Sequence, residues 1–248
     1  NGEAAGKLSG WSVTLSRDGT IVAIGSEYNF GTDFNTGHVR VYQRDTNESI
    51  GWTQLGSDID GEAAGDEFGT SVALSADGTT VAIGAPYNDG NGTDSGHVRI
   101  YQWNGIVWTQ YGIDIDGEAA DDRSGYSVAL SADGTIVAIG ALYNDGNGNS
   151  SGHVRVYQYS EQSDSWTQLG SDIDGEAAED RSGWSVALSS DGSIVAIGAR
   201  LNDGNGNKSG HVRVYQYSET SDTWTQLGSD IDGEAAEDES GYSVALSA

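Results

Sequence analysis

Short acidic segments recur along the chain and offer the oxygen atoms that a divalent cation would need. Asp58-Ile59-Asp60-Gly61-Glu62 is the first, and three later segments repeat its pattern. The carboxylates of all four are Asp58, Asp60, Glu62, Asp114, Asp116, Glu118, Asp172, Asp174, Glu176, Asp230, Asp232 and Glu234. Calcium takes six to eight oxygen ligands, more than one segment supplies. Two interpretations stay open: calcium binding, and Asp side chains that accept backbone N–H bonds in a turn.

Asn-X-Ser/Thr triplets predict sites of N-glycosylation. They occur at Asn47, Asn91, Asn149 and Asn207. Such spacing would suit a secreted glycoprotein, so we expect the protein to be extracellular or on the cell surface. Turns rich in Asn and Ser also create this triplet by chance.

One aromatic position varies where the surrounding sequence repeats faithfully. Trp11, Tyr126, Trp184 and Tyr242 occupy it, and Thr70 replaces the aromatic residue once. Variation within a constant frame indicates exposure, so these four aromatic residues are the predicted binding surface. They would stack on a carbohydrate or dock a protein partner. The alternative is partial burial between units.

Histidine occurs four times, always within Gly-His-Val-Arg, at positions 38, 97, 153 and 211. One histidine in each repeat unit predicts a structural role, bonding backbone or an acidic connector, and not a catalytic triad. Catalysis needs a unique constellation of groups in one pocket. Units that are nearly interchangeable offer none, so the sequence predicts that the protein is not an enzyme.

The charge balance restricts the partners. The chain has 248 residues and a formal net charge of −27, from 38 acidic and 11 basic side chains. Such a surface repels phosphate backbones and anionic lipid, which argues against nucleic-acid binding. No apolar run is long enough to span a bilayer, so direct membrane insertion is not expected.

The acidic connectors mark an internal repeat. Gly-Glu-Ala-Ala begins at residues 2, 61, 117, 175 and 233. A fixed period of this length is typical of propellers and solenoids. We therefore divide the chain into units 2–60, 61–116, 117–174 and 175–232, followed by the first strand of a fifth repeat at 233–248, and expect a window on a longer array. The alternative is four units that close alone.

Each unit predicts four antiparallel strands. In the second unit, residues 71–75 and 81–84 alternate in polarity around Asp77-Gly78, a hairpin-turn signal. Residues 97–101 and 107–111 follow as two further strands rich in β-forming residues. Four-stranded repeats are typical of β-propeller blades, so we predict an all-β propeller, with an open superhelix of sheets as the alternative.

The second unit resembles the FG-GAP repeat, which builds the propeller of integrin α chains. Phe68-Gly69 and Gly84-Ala85-Pro86 carry the resemblance, and the frame between them is close to the bacterial and algal variety. Elsewhere Ser-Gly replaces Phe-Gly, and Gly-Ser-Glu, Gly-Ala-Leu or Gly-Ala-Arg replaces Gly-Ala-Pro. The calcium loop of integrin repeats has no counterpart, because residues 75–79 are too few to surround an ion.

These patterns together favour a non-catalytic recognition or adhesion module that binds glycan or protein through loops on one propeller face. The alternative is a structural repeat protein that assembles, with further repeats, into a surface layer, filament or stalk. No cofactor is required by either function, although calcium remains an open expectation at the acidic connectors.

Overall fold

The computed structural model describes residues 9–28, 35–45 and 51–247, and these form an all-β protein. Twenty strands in these ranges make four antiparallel sheets of five strands each. Within a sheet the first four strands pair in chain order, and a short fifth strand also pairs with the third. The sequence predicted four strands per unit. It missed the fifth because that strand has only two residues, too few for an alternating pattern.

The strand bounds are nearly the same in every sheet. The first sheet contains β1 (Ser12–Leu15), β2 (Ile21–Ser26), β3 (His38–Arg44), β4 (Trp52–Gln54) and β5 (Ile59–Asp60). The second contains β6 (Ser71–Leu74), β7 (Thr80–Ala85), β8 (His97–Trp103), β9 (Trp108–Gln110) and β10 (Ile115–Asp116). The third contains β11 (Ser124–Leu130), β12 (Ile136–Ala141), β13 (His153–Ser160), β14 (Ser165–Gln168) and β15 (Ile173–Asp174). The fourth contains β16 (Ser185–Leu188), β17 (Ile194–Ala199), β18 (His211–Ser218), β19 (Thr223–Gln226) and β20 (Ile231–Asp232).

A side-chain network fixes the turn between the first two strands of each sheet. In the second sheet Asp77 Oδ1 accepts hydrogen bonds from Ser75 Oγ (2.7 Å) and the Thr79 amide (2.9 Å). Ser75 Oγ in turn accepts from the Thr80 amide at 2.9 Å. Gly78 has φ +73°, a conformation that glycine adopts without the Cβ penalty. Short polar side chains and one glycine therefore set the hairpin register.

Consecutive sheets approach closely at a glycine. A Cβ on Gly84 would lie 2.0 Å from the carbonyl oxygen of Gly125 in the next unit, so no larger residue fits without backbone movement. Ser71 Oγ donates to that same carbonyl at 2.7 Å. Gly140 and Ser127 repeat the arrangement against Gly183. The repeated Gly and Ser positions thus join neighbouring blades.

The first strands of the four sheets surround one axis. The Arg17 amide donates to Ala76 O (2.9 Å), the Ala76 amide to Ala132 O (2.8 Å) and the Ala132 amide to Ser190 O (2.8 Å). A cavity of about 240 Å³ lies at this end, and leucines from successive units line it: Leu15, Leu74, Leu130, Leu188 and Leu246. Sheets arranged radially about a shared axis are the blades of a β-propeller, which confirms the predicted fold.

The core lies between blades. Each of three apolar clusters joins residues of one sheet to residues of the next, as Val39 and Val41 pack with Val81 and Ile83. At the outer edge Trp108 Nε1 donates to the Leu55 carbonyl at 2.9 Å, and Trp166 and Trp224 make the equivalent bonds. Buried apolar area and one indole bond per seam therefore stabilise the stacking of blades.

The segment after β20 continues the repeat. Ser240 forms a parallel bridge with Gly210, and the Gly241 carbonyl accepts from Ser185 Oγ at 2.8 Å. These contacts match those that the preceding units make at the same positions. The unit boundaries, the fifth repeat at 233–248 and the longer array stay predictions.

Candidate functional site

Three clusters of glutamate, histidine and aspartate lie at the same end of the second, third and fourth sheets. The histidine begins the third strand, where it pairs with the end of the second strand and with the fifth strand, as His97 pairs with Ala85 and Asp116. The glutamate comes from the connector that enters the sheet. The clusters are Glu62–His97–Asp114, Glu118–His153–Asp172 and Glu176–His211–Asp230. Because one ligand atom per residue lies within 4.8 Å of the others, each cluster could hold a metal ion.

The histidines of the third and fourth sheets face two carboxylates each. His153 Nδ1 lies 3.8 Å from both Glu118 Oε2 and Asp172 Oδ2. His211 Nδ1 lies 3.8 Å from Glu176 Oε2 and 3.9 Å from Asp230 Oδ2. Burial lowers the pKa of both imidazoles, that of His153 to about 4, and the adjacent arginine acts in the same direction. Both histidines are therefore neutral at pH 7 and keep a lone pair for a ligand.

The arginine of Gly-His-Val-Arg takes two different positions. Arg99 donates to Glu62 and to Asp114, with Nη2 2.7 Å from Asp114 Oδ2. Arg155 and Arg213 instead donate to main-chain carbonyl oxygens at the preceding blade's short fifth strand, at 2.8 and 2.7 Å. An arginine therefore bridges the carboxylates in the second sheet, but not in the third and fourth.

The predicted metal ligands separate into two groups. Six of the twelve, Glu62, Asp114, Glu118, Asp172, Glu176 and Asp230, belong to the three clusters. Asp58 pairs with Arg40 at 2.6 Å. Asp60, Asp116, Asp174 and Asp232 end the short fifth strands, and Glu234 is exposed. The sequence interpretation treated the three carboxylates of each acidic segment as ligands of one ion. The fold places these carboxylates in different environments.

The predicted binding surface is largely one continuous row. The Tyr126 and Trp184 ring centroids lie 5.0 Å apart, and those of Trp184 and Tyr242 lie 5.6 Å apart. The Arg200 guanidinium stacks 3.7 Å from the centre of the Trp184 ring. Trp11, in the first unit, is 57% exposed. Ligand binding by these residues remains a prediction.

A buried carboxyl group, Glu27, lies on the same face. Its position is occupied by Pro86, Leu142 and Arg200 in the other units. Glu27 is only 3% exposed. The Thr70 hydroxyl contacts it at 3.5 Å and also donates to the Glu67 carbonyl at 2.8 Å.

Burial raises the pKa of Glu27 to about 7, and the negative charge of Glu67 adds to that effect. Burial also raises the pKa of Glu67, against a hydrogen bond from Tyr28 that stabilises its charged form. Two neighbouring acids with perturbed pKa values are typical of functional sites. Sequence reasoning missed Glu27, although the change from Gly-Ala-Pro to Gly-Ser-Glu at 25–27 was the available signal.

A cavity of about 430 Å³ lies on the flank of the first sheet, lined by Val22, Ile24, Tyr42 and Trp52 among others. The equivalent residues of the second sheet, including Val81 and Ile83, pack against the preceding blade. This flank is accordingly a blade-packing surface, and we assign no ligand to it.

Three predicted glycosylation sites are exposed in loops. Asn91 donates through its amide to the Gly117 carbonyl at 2.9 Å, and Asn207 donates to Glu237 at 2.5 Å. Asn149 is also exposed, and Asn47 lies outside the described residues. Glycosylation stays a prediction at all four positions.

Solved structures with this fold include enzymes. The periplasmic gluconolactonase of Pseudomonas aeruginosa superposes with a TM-score of 0.56 at 17% identity, over 89% of this chain and 56% of that one. A Bacteroides uniformis protein described as a putative 6-phosphogluconolactonase matches at 13% identity and a TM-score of 0.48, over 90% and 71%. The chain thus spans little more than half the length of the gluconolactonase. No curated protein matches the sequence, and no helix able to span a bilayer occurs among the described residues.

The gluconolactonase match contradicts two sequence-based predictions: a non-catalytic recognition, adhesion or structural module, and the absence of enzymatic activity. The error was to infer from near-identical units that every site must be repeated. A repeated frame positions its few variable residues as accurately as its constant ones. Glu27, Glu67 and Thr70 form a combination that the other described units lack.

The sequence also matches a known repeat family directly. Three segments match the FG-GAP repeat: residues 58–101, 113–157 and 172–215. Together they cover more than half of the chain. They begin at the acidic connectors and end in the third strand of the second, third and fourth sheets. This confirms the resemblance seen at Phe68-Gly69 and Gly84-Ala85-Pro86: the chain belongs to the FG-GAP repeat family.

Proposed function

We propose that this chain forms part of a hydrolytic enzyme that opens cyclic esters of sugar acids. The observation that carries the proposal is Glu27, a carboxyl group 3% exposed that lies beside a second carboxyl group, Glu67. An acid with a pKa near the working pH is suited to proton transfer. The likeness to a gluconolactonase supports the choice of a cyclic ester as substrate.

Glu27 would act first as a base and then as an acid. Its carboxylate takes a proton from water while the water oxygen attacks the ester carbonyl carbon. The ring C–O bond then breaks, and the protonated Glu27 returns the proton to the departing alkoxide oxygen. One lactone and one water give one hydroxy acid, and Glu27 regains its initial state. Positioned proton transfer of this kind contributes about 10²–10⁴-fold to a rate.

The residues around Glu27 suit a sugar-derived substrate. Thr70 replaces the aromatic residue found at this position in the other units, so a smaller, polar side chain lies beside the carboxyl group. Arg123 stacks between the rings of Tyr87 and Tyr143, at 4.5 and 4.6 Å, and offers a fixed positive charge near Glu67. We propose that this cation attracts the carboxylate formed in the reaction, and that Tyr126 contacts the apolar face of the ring.

The three clusters support the binding of a metal ion in general better than they support calcium, the ion expected from the sequence. The three clusters each present one imidazole nitrogen and two carboxylates. Calcium takes six to eight oxygen ligands, so most of its shell would have to be water. A melting temperature that EDTA leaves unchanged would overturn calcium binding.

Location and partner follow from the same proposal. We propose a secreted or cell-envelope protein, in line with the periplasmic location of the Pseudomonas aeruginosa gluconolactonase. The partner we retain is a carbohydrate derivative, bound as substrate. The net charge of −27 disfavours nucleic acid.

The proposal is tested by lactone hydrolysis with the full chain. Acid release from glucono-1,5-lactone is followed with a pH indicator near pH 7, and the spontaneous rate in buffer is subtracted. We expect Glu27→Gln to lower kcat by about 10²–10⁴-fold. Glu161→Gln, at an exposed acid in a distant hairpin, is the matched control and should be unchanged. Wild-type rates equal to buffer across five- and six-membered sugar lactones, or full activity in Glu27→Gln, would overturn it.

A further inference from the structure

The cluster of the fourth sheet contains a buried nitrogen atom with no partner. His211 is 1% exposed, and its Nδ1 makes no hydrogen bond to any described residue. That atom points between two carboxylates, 3.8 Å from Glu176 Oε2 and 3.9 Å from Asp230 Oδ2. Buried polar atoms are nearly always satisfied, so an orphaned nitrogen that faces two anions calls for an explanation.

The spacing of these atoms leaves room for one small cation. With the nitrogen 3.8 and 3.9 Å from the two oxygens and the ligand atoms of the set within 4.8 Å of one another, a point equidistant from all three lies at most about 2.5 Å from each. Bonds from Zn²⁺ to histidine nitrogen and carboxylate oxygen are about 2.0–2.2 Å long. A contraction of a few tenths of an ångström would complete the bonds.

We propose that the Glu–His–Asp clusters of the third and fourth sheets each bind a divalent transition-metal ion of the zinc type. One imidazole and two carboxylates are donors that such ions accept, and the remaining positions are open to water. The third cluster has the same spacing, with His153 Nδ1 3.8 Å from both Glu118 Oε2 and Asp172 Oδ2, and its buried ring nitrogen without a partner is Nε2. These sites are separate from Glu27 and do not depend on the proposed hydrolysis.

The neighbouring arginines are compatible with a bound cation. Arg213 Nη1 lies 3.5 Å from Glu176 Oε1, whereas the oxygen that faces His211 is Oε2. Arg155 contacts Glu118 Oε1 in the same way. Each arginine therefore orients its glutamate through one oxygen and leaves the other for the metal, which is the usual work of a group just outside a coordination sphere.

The second sheet supplies an internal control. Arg99 donates there to both Glu62 and Asp114, and so places a guanidinium where the other clusters would place the ion. His97 Nδ1 lies 3.9 Å from Glu62 Oε1, and Asp114 is held by Arg99 through two hydrogen bonds. The proposal accordingly excludes this cluster, although its three residue types are the same.

The test counts bound metal in single variants. Protein stripped with EDTA is dialysed against Zn²⁺ and analysed for metal, and Co²⁺ is titrated in parallel because its visible bands report coordination. We expect His211→Asn and His153→Asn each to lose one equivalent, and His97→Asn to lose none. Glu176→Gln changes a side chain that is 43% exposed, so it tests the fourth site without disturbing the core. It should weaken binding there at least tenfold.

Three results would overturn the proposal. The first is no Zn²⁺ retained above a blank by the wild-type chain. The second is an equal loss in His97→Asn and His211→Asn, which would indicate nonspecific binding to imidazole. The third is unchanged metal content in Glu176→Gln and His211→Asn, with folding of every variant verified by circular dichroism.

Discussion

Two pairs of side chains occupy equivalent places on the face that carries Tyr126, Trp184 and Tyr242. One pair lies at each end of the row of blades. Glu27 meets Glu67 between the first and second units, and Arg200 meets Glu239 after the fourth, with 2.5 Å between Arg200 Nη1 and Glu239 Oε2. The backbone around them is the same, and both Glu67 and Glu239 have positive φ. The partner of the glutamate differs in charge, Glu27 against Arg200, and the neighbouring residue is Thr70 in one place and Tyr242 in the other. The opposite-charge pair stabilises the seam, whereas the like-charge pair weakens it and leaves a proton to exchange.

The largest effect is expected when a cation is placed beside Glu27. Glu67→Arg copies Arg123 and Arg181, which hold the equivalent position at nearly the same φ. The Thr70 hydroxyl contacts Glu27, and the titratable or charged groups that act on Glu67 are Tyr28, Arg123 and Asp94. A guanidinium in place of a carboxylate should lower the pKa of Glu27 from about 7, and move the acidic limb of the kcat/KM profile down by about 1–3 pH units. Glu67→Gln, which removes only repulsion, should give a smaller shift. An unmoved limb in both variants would contradict the pairing.

The reverse change recreates the first-unit pair in the fourth unit. Arg200→Glu replaces an ion pair with two carboxylates, and removes the cation that stacks on Trp184 at 3.7 Å. We expect a loss of about 2–3 kcal/mol in the free energy of unfolding, measured in urea at pH 7. Arg200→Leu copies Leu142 and adds no repulsion, so it should cost about 1 kcal/mol. Equal losses in the two variants would mean that repulsion plays no part.

Most of the fold could be predicted from the sequence, because its signals are local. Asp77-Gly78 marks the hairpin, and alternating residues such as Val81 and Ile83 mark a strand, which the fold buries on both faces. The short strand Ile115–Asp116 could not be predicted, since two residues carry no period. Its aspartate was interpreted as a metal ligand.

The candidate sites were harder to predict, because their residues are distant in sequence. The pairing of β18 with β20 brings His211 close to Asp230, and the connector that enters the sheet brings Glu176 to them. Half of the predicted acidic ligands lie in these clusters, but the histidines were interpreted as purely structural. Glu27 was visible as a departure from Gly-Ala-Pro and was taken for decay of the family motif. In a chain of near-identical units, such departures are where a unique site can arise.

Ionisation of Glu27, which burial and the charge of Glu67 both oppose, should also be detectable as a cost in stability. The pKa of Glu27 is raised in the folded state, so folding favours its protonated form. Its contribution is therefore intact below about pH 4.5 and is lost as pH rises towards 7. Glu27→Gln cannot ionise, and should be more stable than wild type by about 1–2 kcal/mol at pH 8 and equal to it at pH 4. Urea unfolding at both values measures the difference, and a gain at pH 4 as large as at pH 8 would contradict ionisation as its cause.

The smallest effect is expected at Thr70, whose hydroxyl contacts both Glu27 and Glu67. It donates to the Glu67 carbonyl at 2.8 Å and contacts Glu27 at 3.5 Å, the longer contact being the weaker one. Thr70→Val keeps the shape and removes this donor from the ionised form of Glu27. The acidic limb of the pH–rate profile should then rise by a few tenths of a pH unit, with stability lowered by less than about 1 kcal/mol. A fall of the limb would show that the hydroxyl stabilises the protonated acid instead, and that burial and Glu67 supply less of the raised pKa than the like-charge comparison assigns to them.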